Sequence, residues 1–387
     1  MMKNFSFLAL AISTVVISSC SSNAEQTDVS TTDTIKEISH PTVENIPDET
    51  KSIVPKLVQT GYFEQSLDST RIAFTVGKNG LNIENKHLLG VISGIKKLDS
   101  LLVVLDSKQF QLRLYDFTGE MVALKNIGGR GPGEVGLPRD VEVVDGLIYV
   151  FDDFYKVEVY EFLSGDFEYV KTHQLDYTPK SACHIGDKMI ITGFRQKDDS
   201  NGNLDAKLIH IHDLSDFKRN TSIVEPYLAK SPLAVRSLSV GQLACNVNDG
   251  SVFFTFTNFP YVYNYTLDGQ LKKTYDISSY YEMGKITEGS RDGRPLVRYG
   301  ANSNDFFQSN FQLTLDDQNK LIINTHRSTT RTGNIEQFRY LYKIDLSEDT
   351  IEFDERYLRE AIDIQITNEL TVTSSMDPFP MIRVYRN

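Results

Sequence analysis

Tryptophan is absent from the 387 residues, and the aromatic character is carried by 19 Tyr and 22 Phe, a mix that suits pleated, half-buried surfaces. Positive charge is the minority sign: 40 Lys and Arg stand against 52 Asp and Glu, a formal net charge of −12. That balance argues against a general attraction to phosphate backbones, so nucleic acid is not an expected partner. Beyond the first twenty residues no apolar run is long enough to span a bilayer, which also removes support for carriage of a hydrophobic cargo. No long 3.6-residue period is present, so the plan is not helical. There are only three cysteines, and no Ser-His-Asp grouping, catalytic carboxylate pair or metal-ligand spacing stands out.

What is present is a repeat. The stretch Leu112-Arg113-Leu114-Tyr115-Asp116-Phe117 returns as Val157 to Phe162, Ile209 to Leu214, Val262 to Leu267, Leu341 to Leu346 and Ile382 to Asn387. In register, one column reads Tyr115, Tyr160, His212, Tyr265, Ile344 and Tyr385. A short apolar run precedes each copy, starting at Leu101, Leu147, Met189, Val252, Leu321 and Leu370, with spacings of 46, 42, 63, 69 and 49 residues. A β unit of this period predicts propeller blades, and two of the intervals carry insertions of about 20 residues. Runs apolar on both faces fit a sheet packed by a neighbour on each side. Gly119, Gly165 and Gly269 follow the third strand as turn signals.

The expected fold is therefore all-β: a six-bladed β-propeller of four-stranded blades over 56–387. The sixth copy ends at Asn387 with no residues left for an outer strand. An N-terminal strand, in Lys56 to Glu64 or Arg71 to Val76, is predicted to pair there and close the ring.

The first twenty residues read as a targeting segment. Lys3 gives a basic start, Phe5 to Val16 an apolar core, and Ile17-Ser18-Ser19 leads into Cys20. This ending resembles the lipobox of bacterial lipoproteins, which implies a signal peptide over 1–19 and lipidation of Cys20. From there to residue 55 the chain is acidic and rich in Ser, Thr and Asn, and is predicted to be a disordered tether. Because Ser21 to Gln26 holds one acid, the expected location is the periplasmic face of the outer membrane rather than the cell surface.

The link Ile127-Gly128-Gly129-Arg130-Gly131-Pro132-Gly133-Glu134, continuing through Leu137-Pro138-Arg139-Asp140, resembles the signature of TolB-like six-bladed β-propeller lipoproteins of Bacteroidota. The resemblance implies six blades around a central channel and an envelope location, and it implies no reaction. No Lys-Ser or Lys-Thr follows the glycines, so the link is not a nucleotide loop. It is read as a rigid corner between blades with Arg130 and Glu134 paired, or as an anion cradle.

Other candidate ligand-binding residues are Arg195 and His326-Arg327 at ends of second strands, and Arg291 and Arg294 in the basic insertion Ser290 to Tyr299, read as a recognition loop. His210 and His212 share a strand face, but His212 stands in the Tyr column and is read as a packed aromatic rather than a ligand. Cys183 and Cys245 fall on inner strands of successive blades and are expected to be buried free thiols. No metal site or cofactor is assigned and no catalytic residue named.

The favoured function is a lipid-anchored, monomeric binding or scaffolding module holding an envelope protein, peptide or glycan. The alternative is a hydrolase or lyase with an acid–base site, or a metal such as Ca²⁺, in the central channel.

Overall fold

The structure is a computed structural model that describes residues 36–37, 51–60, 72–76, 88–196, 204–205, 207–226, 235, 238–281, 286–291, 294–299, 306–316, 318–331, 334–354, 360–367, 370–375 and 380–386. Cys20 and the signal segment lie outside them. Each blade is an antiparallel sheet with strands in chain order from the inner to the outer edge. Blade 1 holds Ile92–Leu98, Leu101–Asp106, Gln111–Asp116 and Met121–Asn126. Blade 2 holds Pro138–Val144, Leu147–Asp152, Lys156–Leu163 and Asp166–Gln174. Blade 3 holds Thr178–Ile185, Lys188–Gln196, Ile209–Asp213 and Arg219–Ile223. Blade 4 holds Gly241–Asn246, Ser251–Phe256, Tyr261–Tyr265 and Leu271–Asp276. Blade 5 holds Phe306–Leu315, Lys320–Arg331, Asn334–Asp345 and Thr350–Asp354.

Blade 6 is completed from both ends of the chain. Glu360–Thr367, Leu370–Ser375 and Met381–Arg386 are joined by Ile72–Val76, antiparallel to the last of them. The inner strands approach one another in chain order, and that of blade 6 returns to that of blade 1. The ring is thus six blades closed by an N-terminal strand, through the second of the two predicted segments. The first takes another place: Lys56–Thr60 adds a parallel fifth strand outside blade 5.

The reading of 20–55 as a disordered tether needs correction at two points. Lys51–Ile53 pairs in parallel with the outer strand of blade 4, and Lys36–Glu37 pairs with Ile286–Arg291. An open strand edge supplies backbone partners, so a short polar segment can be ordered there without an apolar period of its own.

The apolar core is divided among blade interfaces. Along the second strand of blade 1, Leu102 and Val104 pack with Val372, Ile382 and Val384 of blade 6. Their neighbours Val103 and Leu105 pack with Val141, Ile148 and Val150 of blade 2. Successive side chains serve opposite interfaces, which is why these runs are apolar at every position. The column led by Tyr115 carries a further regularity. Pairing with the outer strand shifts register at Leu114/Tyr115, Val159/Tyr160, Ile211/His212, Asn264/Tyr265 and Val384/Tyr385, whereas blade 5, with Ile344 in the column, pairs without a shift. A bulge adds local twist to a strand, so five blades twist at the same level by the same device.

Cys183 and Cys245 are not free thiols. They form a disulfide with Cα atoms 5.7 Å apart, joining the inner strands of blades 3 and 4. The spacing of 62 residues hides the proximity, which arises because inner strands converge toward the ring centre.

Candidate functional site

Four antiparallel strands fix which residues share an end of the ring. The link entering each inner strand and the turn between second and third strands lie at one end, here called the link end. By this topology Arg130, Glu134, Arg195, Arg291, Arg294, His326 and Arg327 all fall toward the link end, but on different blades.

The glycine-rich link is a corner built from its own backbone. Glu134 accepts the N–H groups of Arg130 and Gly131 at 2.9 and 2.8 Å. Among the described residues no ion pair joins it to the exposed Arg130 guanidinium, so the expected pairing is with the backbone instead. The Gly133 N–H donates to Glu158, and the Tyr160 hydroxyl donates to the Gly133 carbonyl. Lys156 bonds the Glu134 carbonyl as well as Glu158. A Cβ on Gly129 would lie 2.1 Å from a Glu134 carboxylate oxygen, and Gly133 has φ +71 with the Tyr169 ring against it. The N–H groups of Arg130, Gly131 and Gly133 thus donate to protein carboxylates and are not free to cradle an anion. The same economy governs Asp152, which accepts the N–H groups of Gly136 and Leu137, as Asp106 accepts those of Gly90 and Val91 one blade earlier.

The basic insertion is a hairpin rather than a loop: Ile286–Arg291 pairs with Arg294–Tyr299, placing Arg291 opposite Arg294. His326 and Arg327 lie within a strand that runs on to Arg331, so they do not begin a turn; Arg195 is paired with Asp205 near the end of its strand. His210 and His212 are packed aromatics. Tyr177 stacks on the His210 ring at 3.8 Å and its hydroxyl bonds His212 Nε2 at 2.8 Å; His210 also contacts Ser222 and the Gly193 carbonyl. Burial holds both imidazoles below the ordinary histidine range, His210 at about 4. Among the described residues no group of three or more His, Cys, Asp or Glu is placed to hold a metal ion.

The arrangement that does gather chemistry lies on three successive inner strands. Glu142 of blade 2 is 5% exposed. One of its oxygens takes the Lys96 ammonium of blade 1 at 2.6 Å, and the other faces His184 Nδ1 of blade 3 at 3.2 Å. Burial alone would raise the Glu142 carboxyl, but Lys96 and His184 outweigh it and hold the group below its ordinary value. Glu142 is therefore ionised and can only accept, so His184 Nδ1 is the donor of that pair, and Nε2 makes no bond among the described residues. Burial also works against the Lys96 charge, and the Glu142 and Asp140 carboxylates reverse it, raising the ammonium above its usual range. Asp140 accepts the N–H groups of Val141 and Ala182 at 2.8 and 2.9 Å, and burial lifts it to about 6 despite Lys96. Lys96 and His184 keep 28% and 31% of their side-chain surface exposed, and their strand positions lie toward the end opposite the links. Nearer the link end, Arg139 and Lys180 both bind Asp153, through contacts of 2.6 and 3.0 Å.

Sequence reasoning missed Lys96, Glu142 and His184. A signal existed: Lys96 and Glu142 each stand five residues before the second strand of their blade, at Leu101 and Leu147, so adjacent blades carry opposite charges at one level of the ring.

The comparisons agree with the geometry. In solved structures the chain is similar to an exported protein, described as putative, from Bacteroides fragilis, with TM-score 0.51 and 12% identity over 87% of this chain and 100% of that one. It is similar also to a DUF4221 family member from Bacteroides vulgatus, with TM-score 0.52 and 9% identity over 78% and 94%. At such identities the likeness shows the fold alone. No curated protein matches the sequence. A family model described as a 6-bladed beta-propeller, DUF5128, matches residues 80–288. With more than half of the chain matched and six blades closed into a ring, the protein belongs to the DUF5128 family of six-bladed β-propellers.

Proposed function

We propose that the protein is an exported, TolB-like lipoprotein, anchored through Cys20 to the periplasmic face of the outer membrane, whose ring binds a ligand at its inner edge. The observation that carries the binding reading is the gathering of Lys96, Asp140, Glu142 and His184 from three blades, with the Lys96 and His184 side chains partly exposed. Such convergent polar groups on a rigid frame are what a small-ligand site requires. Export is supported by the targeting segment and by the likeness to an exported protein. The disulfide fits an oxidising compartment.

Two measurements test this reading. Cys20→Ala should move the protein from the membrane to the soluble fraction of cells; unchanged fractionation refutes anchoring. In a thermal-shift screen of small molecules, glycans and peptides, compounds that raise the melting temperature of the wild type should leave Lys96→Met/Glu142→Gln unshifted. Equal shifts in both proteins refute the inner-edge site. A second reading, an acid–base enzyme, is favoured by one feature: Glu142 orients His184 with a bare Nε2, the arrangement of a general base. Consumption of any screening hit, followed by NMR and abolished in His184→Phe, distinguishes it from simple binding.

A further inference from the structure

The inner-edge cluster carries enough chemistry to specify its ligand, an inference that rests on the binding reading above. Lys96 and His184 bond the two oxygens of one carboxylate. Lys96 offers N–H groups beyond the one spent on Glu142, and His184 offers Nε2, which makes no bond among the described residues. Both groups are held by a side chain that is itself buried on the inner strand between theirs.

Charge narrows the class. An anion placed here meets Glu142 and Asp140 and, at longer range, a chain of net charge −12. A cation meets Lys96. A neutral ligand with an adjacent donor and acceptor avoids both penalties. A trans peptide unit is a poor match, because its N–H and C=O point to opposite sides of one plane. Two neighbouring hydroxyls match, since each oxygen can donate or accept as required. We propose that Lys96 and His184 form a binding site for a neutral polyhydroxyl ligand, one hydroxyl accepting from the ammonium and its neighbour bonding Nε2. Glu142 is the positioning residue.

The level of the site in the ring supports this assignment. Of the described histidines, His173, His210 and His212 are packed against aromatic rings, whereas His184 keeps 31% of its side chain exposed and its Nε2 makes no bond among the described residues. Strands of three blades fix the positions of Lys96, Glu142 and His184, so little ordering is required on binding.

The test uses calorimetry of the full-length chain with four probes: mannobiose and galactobiose as neutral diols, sodium glucuronate as an anionic analogue, and N-acetylglycinamide as a neutral amide. At least one disaccharide should bind more tightly than glucuronate and the amide, and should weaken tenfold or more in His184→Phe. The double variant Lys96→Met/Glu142→Gln, which removes the ammonium together with the carboxylate it bonds, should show the same loss while melting cooperatively. Tighter binding of glucuronate or the amide, abolished by these variants, keeps the inner edge as a site and overturns the assignment to a neutral polyhydroxyl ligand. Disaccharide binding unchanged in both variants, or no disaccharide binding at all, overturns the inference outright.

Discussion

Single residues at the corners of this ring do the work that loops leave to solvent in many proteins. The Glu134 carboxylate holds two backbone N–H groups of the link between blades 1 and 2. Bonds from a charged acceptor contribute more than neutral ones, so Glu134→Ala should lower stability by about 1–3 kcal/mol in urea unfolding. Gly129→Ala, whose Cβ collides with the same carboxylate, should cost at least as much. Histidines set a second residue-scale effect. Burial depresses His210 and His173 to about 4 in the folded state. A depressed pKa contributes stability that is present above the unfolded value of 6.5 and lost as pH falls toward 4. For His210, 2% exposed, the loss is on the order of 3 kcal/mol; the half-buried His173 adds less. Asp140 works in the opposite sense: its raised pKa of about 6 contributes stability below 3.8 that is lost as pH rises through 6. Acidification from pH 7 to 4.5 should therefore lower the urea midpoint, with Asp140 offsetting part of the fall. His210→Asn should start lower at pH 7 and show a flatter slope.

At the scale of elements, the blades were legible and their connections were not. Second strands such as Leu101–Asp106 announce themselves because Leu102 and Val103 are buried against different neighbours. The column from Tyr115 to Tyr385 marks the third strands, yet its bulges are a property of pairing with the next strand and leave no separate trace in the residues. The hairpin containing Arg291 and Arg294 was read as a loop because its strands lack a buried-strand pattern. Cys183 and Cys245 were read as free because sequence separation says nothing of strands that meet at a ring centre. The same reason hid Lys96, Glu142 and His184, each from a different blade. The disulfide closes 62 residues, and in the chain-entropy account such a crosslink stabilises by up to about 4 kcal/mol. Cys183→Ala/Cys245→Ala should unfold at lower urea, and adding dithiothreitol should affect the wild type but not this variant.

For the whole molecule, closure decides whether there is a fold at all. Removing residues 1–80 deletes Ile72–Val76 and leaves Met381–Arg386 as an open edge in a blade of three strands. The truncated chain should be insoluble or lack a cooperative transition; a soluble product that melts cooperatively would refute the closure model. Cutting before Lys51 should be tolerated far better, since it spares every strand of the six blades.

The pairing of Ile72–Val76 with Met381–Arg386 also sets a schedule. The first partner leaves the ribosome some 300 residues ahead of the second, an interval of roughly 15–60 s at ordinary rates of synthesis. Throughout that time the ring is an open circuit, and no nascent chain can hold the finished structure. Whatever handles the chain before its last strand is made, be it a chaperone or an export channel, meets a polypeptide that has not yet locked.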